Sequence, residues 1–513
     1  MSLLPLLLVA CAPDASSERR STACEAVATD DVEAVTTLTR RLVPDPGLEG
    51  TTELNPALPE GLREAERLGL GGATKTIGEA RQVRDTLAPG HGRSAGSRSL
   101  AMIFHQSDAQ IADVESPTRV VGLDDPSATQ SAARPQEIYA LHTLDALIRT
   151  ANLLSEHAPI DFAMVTGDNA DSNQDNELGW FIDTFDGTSL LPDAGTPGSQ
   201  LDEDCNDPVA RFTPTGADFP WYSVAGNHDV LVQGNFAPED WREDALGGDA
   251  RIGTRDLSLP GAPLVYATDP DPARRLLVRS DIAALYLSSP TEPPGHGFTD
   301  ANVTDDTVSW VAHPIPGAPL AVLAIDANPS GPGDARISLA ERDGFLAPAL
   351  AAAGAAGELV VLTSHYALGG LAMEGGGRLG DWLQQYPQVV LSLVGHSHLN
   401  RIESYGPAGD AGAFWEIETC SSNDWPAQAR LVELVVNEDG TLSVLTTMFD
   451  AVAPPGSLAA RASTLARIDL QSGWRLGDGS GEPEDRNTEL VQVLPEGFAW
   501  SGGHLGARSD DLP

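Results

Sequence analysis

Five short polar clusters follow apolar runs along this chain, and this recurrence constrains its fold more than any other feature of the sequence. The clusters are Ser-Asp-Ala-Gln at 107–110, Gly-Asp-Asn-Ala-Asp at 167–171, Gly-Asn-His-Asp at 226–229, Ser-His at 364–365 and Gly-His-Ser-His at 395–398. The runs before them are 100–104, 160–165, 221–225, 359–363 and 389–394. Short apolar runs bounded by turn residues are typical of buried strands. Because the carboxyl ends of parallel strands share one edge of a sheet, we expect the clusters to meet there.

The segments between these runs predict an alternation of helices and strands. Apolar residues recur at helical spacing over 138–154, which gives a strand-helix-strand unit of two parallel strands with a right-handed crossover. A second helix is expected over 178–185, and an Ala-rich helix over 338–353 follows a strand at 320–326. Three further strands, at 413–419, 430–436 and 442–448, suggest a second sheet that packs on the first.

Composition divides the chain into four parts. Residues 1–11 form a signal segment, and residues 12–97, rich in Ala, Ser, Thr, Gly and acidic residues, are interpreted as a tether and an irregular arm. Residues 98–453 hold the main domain, with insertions at about 186–218 and 230–319. Residues 454–513, dominated by Gly, Asp and Pro, are interpreted as a C-terminal tail.

The four cysteines and the first residues bear on localisation. The apolar run before Cys11 is too short to span a bilayer. Leu-Val-Ala-Cys at 8–11 resembles a bacterial lipobox, although no Lys or Arg precedes it, and a frayed hydrophobic terminus is the alternative. We therefore expect an extracytoplasmic protein, secreted or attached to the membrane only by a lipid on Cys11. No Cys-x-x-Cys pair occurs, and a disulfide among Cys24, Cys205 and Cys420 is left open.

The balance of charge limits the partners of the protein. The chain of 513 residues has 31 basic and 74 acidic residues and a net charge of −43. Such a surface repels polyanions, so binding of long nucleic acids through a basic face is excluded.

The five clusters together offer a rich set of metal ligands. Carboxylates, imidazoles and side-chain amides suit Mn, Fe, Zn or Mg ions better than metals that prefer thiolates. Two carboxylates, three histidines and two amides are enough for two ions. Two ions about 3.5–4 Å apart can clamp a phosphoryl group and lower the pKa of a water between them.

The order and spacing of these motifs are similar to the calcineurin-like metallophosphoesterase superfamily. The motifs are Asp-x-Gln, Gly-Asp-x-x-Asp, Gly-Asn-His-Asp, an isolated His and Gly-His-x-His, in this order over 107–398. The stretches 107–117 and 167–180 look like those of bacterial secreted members. The resemblance implies an α/β fold, a four-layer αββα sandwich of two mixed β-sheets flanked by helices, with two divalent metal ions at the strand ends.

The resemblance also implies roles for individual residues. One metal would be held by Asp108, Gln110, Asp168 and His398, and the other by Asp168, Asn227, His365 and His396. His228 resembles the histidine that faces the leaving-group oxygen, and Asp171 would orient its other ring nitrogen. His105 and His296 are predicted substrate contacts because they lie beside the first motif and in a Gly-rich loop.

Two positions depart from the common pattern of this superfamily. Gln110 stands where most members have His, and a neutral amide oxygen is a poorer metal donor than an imidazole nitrogen. Asp171 stands where purple acid phosphatases have Tyr, which argues against a purple iron enzyme.

Two functions from different classes follow. The first is a dinuclear metal-dependent hydrolase of phosphate mono- or diesters, with a metal-bridging hydroxide as the nucleophile and a small phosphorylated substrate. The alternative is a non-catalytic metal-binding surface lipoprotein that retains the fold. The complete ligand set and the His228–Asp171 pair favour the hydrolase.

Overall fold

The computed structural model describes residues 33–48, 54–126, 129, 131–192, 207–255, 264–328, 335–474 and 477–513. The signal segment 1–11, Cys24 and Cys205 lie outside these ranges, so the lipid anchor and the disulfide stay predictions. Cys420 is buried and forms no disulfide with a described residue. Among the described helices, none combines the length and the apolar character needed to cross a membrane.

The described residues form strands of two to ten residues. They are β1 Arg40–Pro44, β2 Ala73–Ile77, β3 Gln82–Arg84, β4 Arg98–Gln106, β5 Phe162–Val165, β6 Trp221–Ser223, β7 Asp249–Arg255, β8 Leu264–Ala267, β9 Trp310–Ala312, β10 Leu320–Ala324, β11 Arg336–Ile337, β12 Leu359–Thr363, β13 Ala372–Met373, β14 Val389–Val394, β15 Arg401–Tyr405, β16 Phe414–Glu418, β17 Gln428–Val436, β18 Thr441–Asp450, β19 Thr488–Val493 and β20 His504–Leu505.

Helices occur between these strands and near both ends of the described chain. They are α1 Pro59–Arg67, α2 Ala140–Ser155, α3 Asp175–Asp186, α4 Asn227–Val230, α5 Arg242–Gly247, α6 Arg279–Ser288, α7 Asp300–Asp305, α8 Ala347–Ala356, α9 Leu379–Leu383 and α10 Leu458–Gln471. A π-helical segment, Ala340–Leu346, leads directly into α8. The Ala-rich helix predicted over 338–353 is therefore present, although its first turns are π-helical.

The first large sheet has the order β3-β19-β18-β17-β4-β5-β6, with β20 paired to the start of β4. Strands β4, β5 and β6 are parallel, so the predicted parallel strand-helix-strand unit is confirmed as β4-α2-β5. Strand β17 is antiparallel to both β4 and β18. The last two strands predicted after residue 398 therefore return to the first sheet instead of forming a second one.

The second large sheet has the order β15-β16-β14-β12-β10-β9. Its four central strands are parallel, and antiparallel strands cover both edges. The strands predicted at 359–363 and 389–394 coincide with β12 and β14. Both are buried on their two faces, and such strands have nearly continuous apolar sequence.

Alternate residues of β10 pack on opposite sides of the second sheet. Leu320, Val322 and Ala324 belong to a buried cluster that also contains residues of β4, β5, β17, α2 and α3. Ala321, Leu323 and Ile325 belong to another cluster, which contains residues of α8 and α9. This alternation follows from the two-residue period of a strand. The protein is thus a mixed α/β fold whose two large sheets share a core.

The ends of the chain contribute more regular structure than the sequence suggests. The interpretation of 454–513 as a tail is wrong, because α10 packs with α1 in a buried cluster and β19 is a strand of the first sheet. The arm before residue 98 is also not wholly irregular, since it holds α1, the β1-β2 pair and β3, which pairs with β19. The many Gly, Asp and Pro residues around these elements hide their short apolar patterns.

The insertion at 230–319 contains helices and short strands. Strands β7 and β8 form an antiparallel pair. Its last strand, β9, pairs with β10 and closes an edge of the second sheet.

Candidate metal centre

The predicted ligands come from the ends of parallel strands in both large sheets. Asp108 and Gln110 follow β4, Asp168 follows β5, and Asn227 opens α4 after β6. From the second sheet, His365 follows β12, and His396 and His398 follow β14. Hydrogen bonds join these strand ends: the amide nitrogen of Asp108 donates to the carbonyl of Gly167 over 3.0 Å, and that of His396 donates to Oδ2 of Asp108 over 3.0 Å. The structure therefore brings the five clusters of the sequence to one place.

Two glycines of the motifs are required for this close approach. A Cβ atom at Gly395 would collide with the side chains of Ser107 and Asp108. A Cβ atom at Gly226 would collide with the carboxylate of Asp168. The glycines of Gly-His-Ser-His and Gly-Asn-His-Asp thus let the backbone pass directly against ligands from neighbouring strands.

Five of the predicted ligands adopt a left-handed backbone conformation. Their φ values are 52° at Asp108, 43° at Gln110, 54° at Asp168, 81° at His396 and 59° at His398. This conformation is uncommon for residues with a Cβ atom and costs on the order of 1–3 kcal/mol each. Strained backbone conformations cluster at functional sites. Their presence at five of these residues therefore indicates a functional site without reference to the sequence motifs.

One half of the site is formed by Asp168, His365, His396 and Asn227. Nε2 of His365 lies 3.2 Å from Oδ2 of Asp168 and 3.2 Å from Nδ1 of His396. Nδ1 of His396 also lies 3.1 Å from Oδ1 of Asn227. Ligand atoms of Asp168, His365 and His396 all lie within 4.8 Å of one another. Nδ1 of His365 donates to the carbonyl of Thr166 over 2.8 Å, which leaves Nε2 directed at the other ligands.

The other half is formed by Asp108, Gln110 and His398. Nε2 of His398 lies 3.3 Å from Oδ1 of Asp108, and the two halves meet where that oxygen lies 3.9 Å from Nε2 of His365. Oδ1 of Asp108 and Oε1 of Gln110 are buried and accept no hydrogen bond from any described residue. Burial of an oxygen without a hydrogen-bond partner costs free energy, so the Asp108 oxygen, which lies near Nε2 of His398 and Nε2 of His365, calls for a positive partner.

The charges of the site are strongly coupled. Burial alone would raise the pKa of Asp168, but the positive charges of His365 and His228 outweigh it and hold that pKa well below its usual range. Burial would lower the pKa of His365, but the carboxylates of Asp168 and Asp108 raise it to about 10. For His396, burial and the neighbouring His365 lower the pKa to about 4. One imidazolium therefore occupies the position between two carboxylates that a metal cation would also fill.

The residues present fit divalent metal ions. The orphaned oxygens of Asp108 and Gln110, the His365 and His396 nitrogens that face each other, and the hard-to-borderline donor set match the ligand chemistry of Mn, Fe, Zn or Mg. A cation between the two nitrogens would replace the proton that they otherwise have to share. Among the described residues, Asp168, His365 and His396 form a group whose ligand atoms could hold one metal ion, and the two predicted ligand groups stay a prediction.

The predicted pair of His228 and Asp171 lies beside this site. Nε2 of His228 is 3.9 Å from Oδ2 of Asp168, and its backbone nitrogen donates to Oδ1 of Asp168 over 2.8 Å. Nδ1 of His228 bonds to the backbone carbonyl of Asp171 at 2.7 Å, whereas the Asp171 carboxylate is 3.6 Å away. The ring is thus oriented mainly by the carbonyl of the predicted residue, with its carboxylate as a nearby charge.

The carboxylate of Asp171 is held by residues that the sequence motifs do not reveal. Nη1 of the fully buried Arg119 donates to Oδ2 of Asp171 over 2.8 Å, and Nη2 donates to Glu137 over 2.7 Å. Nε2 of Gln233 donates to the same Asp171 oxygen over 3.1 Å. These contacts keep the carboxylate charged, since Arg119 and His228 outweigh the effect of burial and lower the pKa of Asp171.

The two predicted substrate contacts do not reach the site. His105 is fully buried in β4, and its ring nitrogens bond to the hydroxyls of Thr166 at 3.1 Å and Thr419 at 2.8 Å. His296 is fully buried and stacks on Trp221 with a ring separation of 3.4 Å. Both histidines are core residues with satisfied nitrogens, so neither is retained as a substrate contact.

Two residues near the ligands were not singled out from the sequence. Asp424 contacts Nδ1 of His398, and the partly exposed Tyr366 places its ring 4.2 Å from that of His396. Tyr366 directly follows the isolated ligand His365, which is the signal that could have identified it. Asp424 lies 26 residues after His398 on another loop, so no local pattern connects the two.

Comparison with protein-family models gives no match, and comparison with curated proteins gives none either. Among solved structures, the chain is similar to one described as GAP50, the anchor in the inner membrane complex of Plasmodium. That likeness has a TM-score of 0.26 and 9% identity, over 79% of this chain and 100% of the other. A similarity this weak carries no argument about fold or function, so the proposal below depends on the site itself.

Proposed function

We propose that this protein is a metal-dependent hydrolase of phosphate mono- or diesters that uses two divalent ions. The observation that carries the proposal is the convergence of seven residues whose side chains are able to bind a metal, two of which have buried oxygens that accept no hydrogen bond from a described residue. The resemblance to calcineurin-like metallophosphoesterases accounts for the order of these ligands along the chain.

We also propose the layer order of that superfamily, an αββα sandwich. The division of β10 side chains between the cluster shared with the first sheet and the cluster shared with α8 and α9 supports it. Residues of α2 and α3 also belong to the first of these clusters, so both helices pack against the core that contains the first sheet.

The proposed ligands fall into two groups that share Asp168. One group is Asp108, Gln110, Asp168 and His398, and the other is Asp168, Asn227, His365 and His396. Bound ions would polarise the phosphoryl oxygens and lower the pKa of coordinated water. The residues themselves supply a rigid frame, since all proposed ligands except His396 are buried and five of the seven have a left-handed backbone conformation.

His228 is proposed as the general acid that protonates the leaving-group oxygen. Burial would lower its pKa, but the carboxylates of Asp168 and Asp171 outweigh burial and raise that pKa, which favours the protonated ring. The Nδ1–H group donates a hydrogen bond to the backbone carbonyl of Asp171. The proton on Nε2 is therefore the one available for transfer. Proton transfer by a positioned histidine contributes about 10²–10⁴-fold to rate.

The substrate is proposed to be a small phosphorylated molecule. The net charge of −43 disfavours long polyanions, whereas a cationic metal pair attracts a single phosphoryl group locally. His396 is exposed and Tyr366 is partly exposed, so this side of the site is open to such a molecule.

A non-catalytic metal-binding surface lipoprotein is the second candidate. It would use the same ligands but would have no need for His228, whose partly exposed ring sits beside Asp168. For either candidate we propose an extracytoplasmic location with a lipid on Cys11. Labelling with radioactive palmitate should mark the wild type but not Cys11→Ser, and equal labelling of both would contradict the anchor.

Turnover of p-nitrophenyl phosphate and bis-p-nitrophenyl phosphate tests the catalytic proposal. The wild type should hydrolyse at least one of them, and His228→Ala should reduce kcat by about 10²–10⁴-fold while metal content is unchanged. His313→Ala is the matched control, because His313 is exposed and pairs only peripherally with Glu358 at 3.3 Å. Full metal content with no turnover of these esters or of a nucleotide panel would favour the non-catalytic protein.

A further inference from the structure

The loop after β16 is fastened to the first ligand motif. The hydroxyl of Ser421 donates to the carbonyl of Asp108 over 2.7 Å, and Ser422 donates its amide hydrogen to the carbonyl of Ser107 over 3.1 Å. The Ser421 hydroxyl also accepts the backbone N–H of Asn423 over 2.9 Å. Asp424, the next residue, is thereby fixed behind the site.

Asp424 contacts a proposed metal ligand on the side that faces away from the metal centre. Its Oδ2 hydrogen bonds to Nδ1 of His398, while Nε2 of the same ring points at Oδ1 of Asp108 from 3.3 Å. A carboxylate on Nδ1 fixes the proton there, so that Nε2 presents its lone pair. The ring of His398 is therefore held in the tautomer and the orientation that a metal ligand needs.

Asp424 is itself held by a buried cation and an amide. Nε of Arg134 lies 2.9 Å from Oδ1 of Asp424, and Nε2 of Gln136 donates to the same oxygen over 3.2 Å. The side chains of Arg134 and Asp424 are 3% and 1% exposed. A carboxylate buried this deeply stays ionised only if charged partners compensate the loss of water, and Arg134 meets that requirement.

We propose that Asp424, charge-balanced by Arg134, is a positioning residue that sets the metal affinity of the His398 half of the site. This inference rests on the proposed function, since it assumes that His398 binds a metal. Its chemical basis is general: a carboxylate on the far nitrogen raises the basicity of a ligating imidazole and limits its rotation. Loss of such a partner typically weakens metal binding about 10–100-fold.

Titration of the metal-free protein with Co²⁺ tests the proposal, because visible Co²⁺ absorption reports metal binding without any assay of activity. The wild type should take up two equivalents. In Asp424→Asn, one equivalent should bind about 10–100-fold more weakly while the other keeps its wild-type affinity. Arg134→Gln leaves Asp424 in place without its cation, so the same equivalent should weaken by a smaller factor.

Glu433→Gln is the matched control. Glu433 is a fully buried carboxylate near Arg508 at 3.8 Å, and it accepts the backbone N–H groups of Arg508 and Ser509 without contacting a ligand. Both of its Co²⁺ equivalents should bind as in the wild type. Circular dichroism and thermal unfolding of each metal-free variant would show whether the variant is folded.

The outcomes separate this inference from the proposed function. No stoichiometric Co²⁺ binding by the wild type would contradict the metal centre itself. Two tight equivalents in the wild type and unchanged affinities in folded Asp424→Asn and Arg134→Gln would overturn the role of Asp424 alone. Equal weakening in Glu433→Gln would also overturn it, since the effect would then be one of general stability.

Discussion

Two buried groups of charged residues lie side by side in this protein, and their carboxylates are treated differently. In the metal centre, Asp108 and Asp168 face histidines, and Oδ1 of Asp108 accepts no hydrogen bond from a described residue. In the arginine-balanced group behind it, Asp171 pairs with Arg119 at 2.8 Å, Asp424 with Arg134 at 2.9 Å and Asp113 with Arg274 at 2.7 Å. The carboxylates of the arginine-balanced group are paired with permanent cations. Those of the candidate metal centre face only histidines, which can lose their proton and with it their positive charge.

The difference indicates what each group is for. A guanidinium is permanently charged, so the charge of a carboxylate paired with it is already compensated without a metal ion. An imidazolium can release its proton and coordinate a metal through the same nitrogen. The positive charge in the candidate metal centre can therefore be a proton or a metal ion, whereas the arginines of the neighbouring group keep their charge.

Replacement of Asp168, the ligand proposed to be shared by both ions, should have the largest effect on metal binding and turnover. Asp168→Asn removes the only residue assigned to both ions, so we expect metal content to fall and ester turnover to drop by about 10³-fold or more, because each ion contributes several kcal/mol to the transition state. Metal analysis and turnover of p-nitrophenyl phosphate measure both effects. Retention of two metals and of wild-type turnover would show that Asp168 is not the bridge.

Removal of an arginine from the arginine-balanced group should reduce the stability of the fold. Arg119→Met leaves Asp171 and Glu137 buried without their common cation, which should lower the free energy of unfolding by about 3–5 kcal/mol. Urea denaturation of the metal-free protein measures this change. The exposed pair of Arg67 and Glu64 supplies the control, since Arg67→Met should have no measurable effect. Equal stability of Arg119→Met and the wild type would contradict a structural role for the arginine.

Asp469 is a buried carboxyl next to the arginine-balanced group, and it has two acidic neighbours but only one nearby arginine. Burial, together with Asp124 and Glu137, raises its pKa to about 7 despite the nearby Arg134. The folded protein thus binds this proton more tightly than the unfolded chain does, and the stability it gives is lost as pH rises from about 4 to about 7. We expect Asp469→Asn to raise the free energy of unfolding by about 2–4 kcal/mol at pH 8 relative to the wild type.

At pH 5 the same substitution should have a much smaller effect, because the wild-type carboxyl is then already protonated in the folded state. Thermal unfolding of the chelator-treated proteins at the two pH values measures the difference. A stabilisation that is equal at both pH values would mean that the carboxyl is ionised in the fold.

Replacement of Gln110 should have the smallest of these effects, a change in the affinity for one metal ion. Gln110→His replaces an amide oxygen by an imidazole nitrogen, which is a better donor for Zn or Mn ions, so one equivalent should bind about tenfold more tightly. Competition with a chromogenic chelator measures the affinity. Weaker binding would show that the 43° φ of Gln110 and its buried setting demand the shape of the amide.

Local sequence pattern was enough to predict the core strands and to bring the candidate ligands to one place. Runs such as 359–363 and 389–394 are buried on both faces, so they read as strands without ambiguity, and each ligand motif is short and contiguous. The supports of these ligands were missed because they depend on pairs far apart in the chain: Arg119 with Asp171 is separated by 52 residues and Asp424 with His398 by 26.

Errors in the sequence analysis have similar physical causes. Strand β19 is an alternating segment between Gly- and Pro-rich loops, and only its pairing with β18 makes it part of the core sheet. His105 lies beside the first motif and His296 in a Gly-rich loop, yet both are buried with bonded ring nitrogens and do not reach the site. Position near a motif in sequence therefore does not establish contact with its chemistry.

The central claim is that the strand ends of both sheets hold metal ions. Crystals of protein purified without chelator, measured at the absorption edge of the metal found in it, would test this most directly. We expect two anomalous peaks about 3.5–4 Å apart, one beside Asp108 and His398, the other beside His365 and His396, with Asp168 between them. Full occupancy of this space by water, with Nε2 of His365 hydrogen bonded to Asp168 in its protonated form, would contradict it.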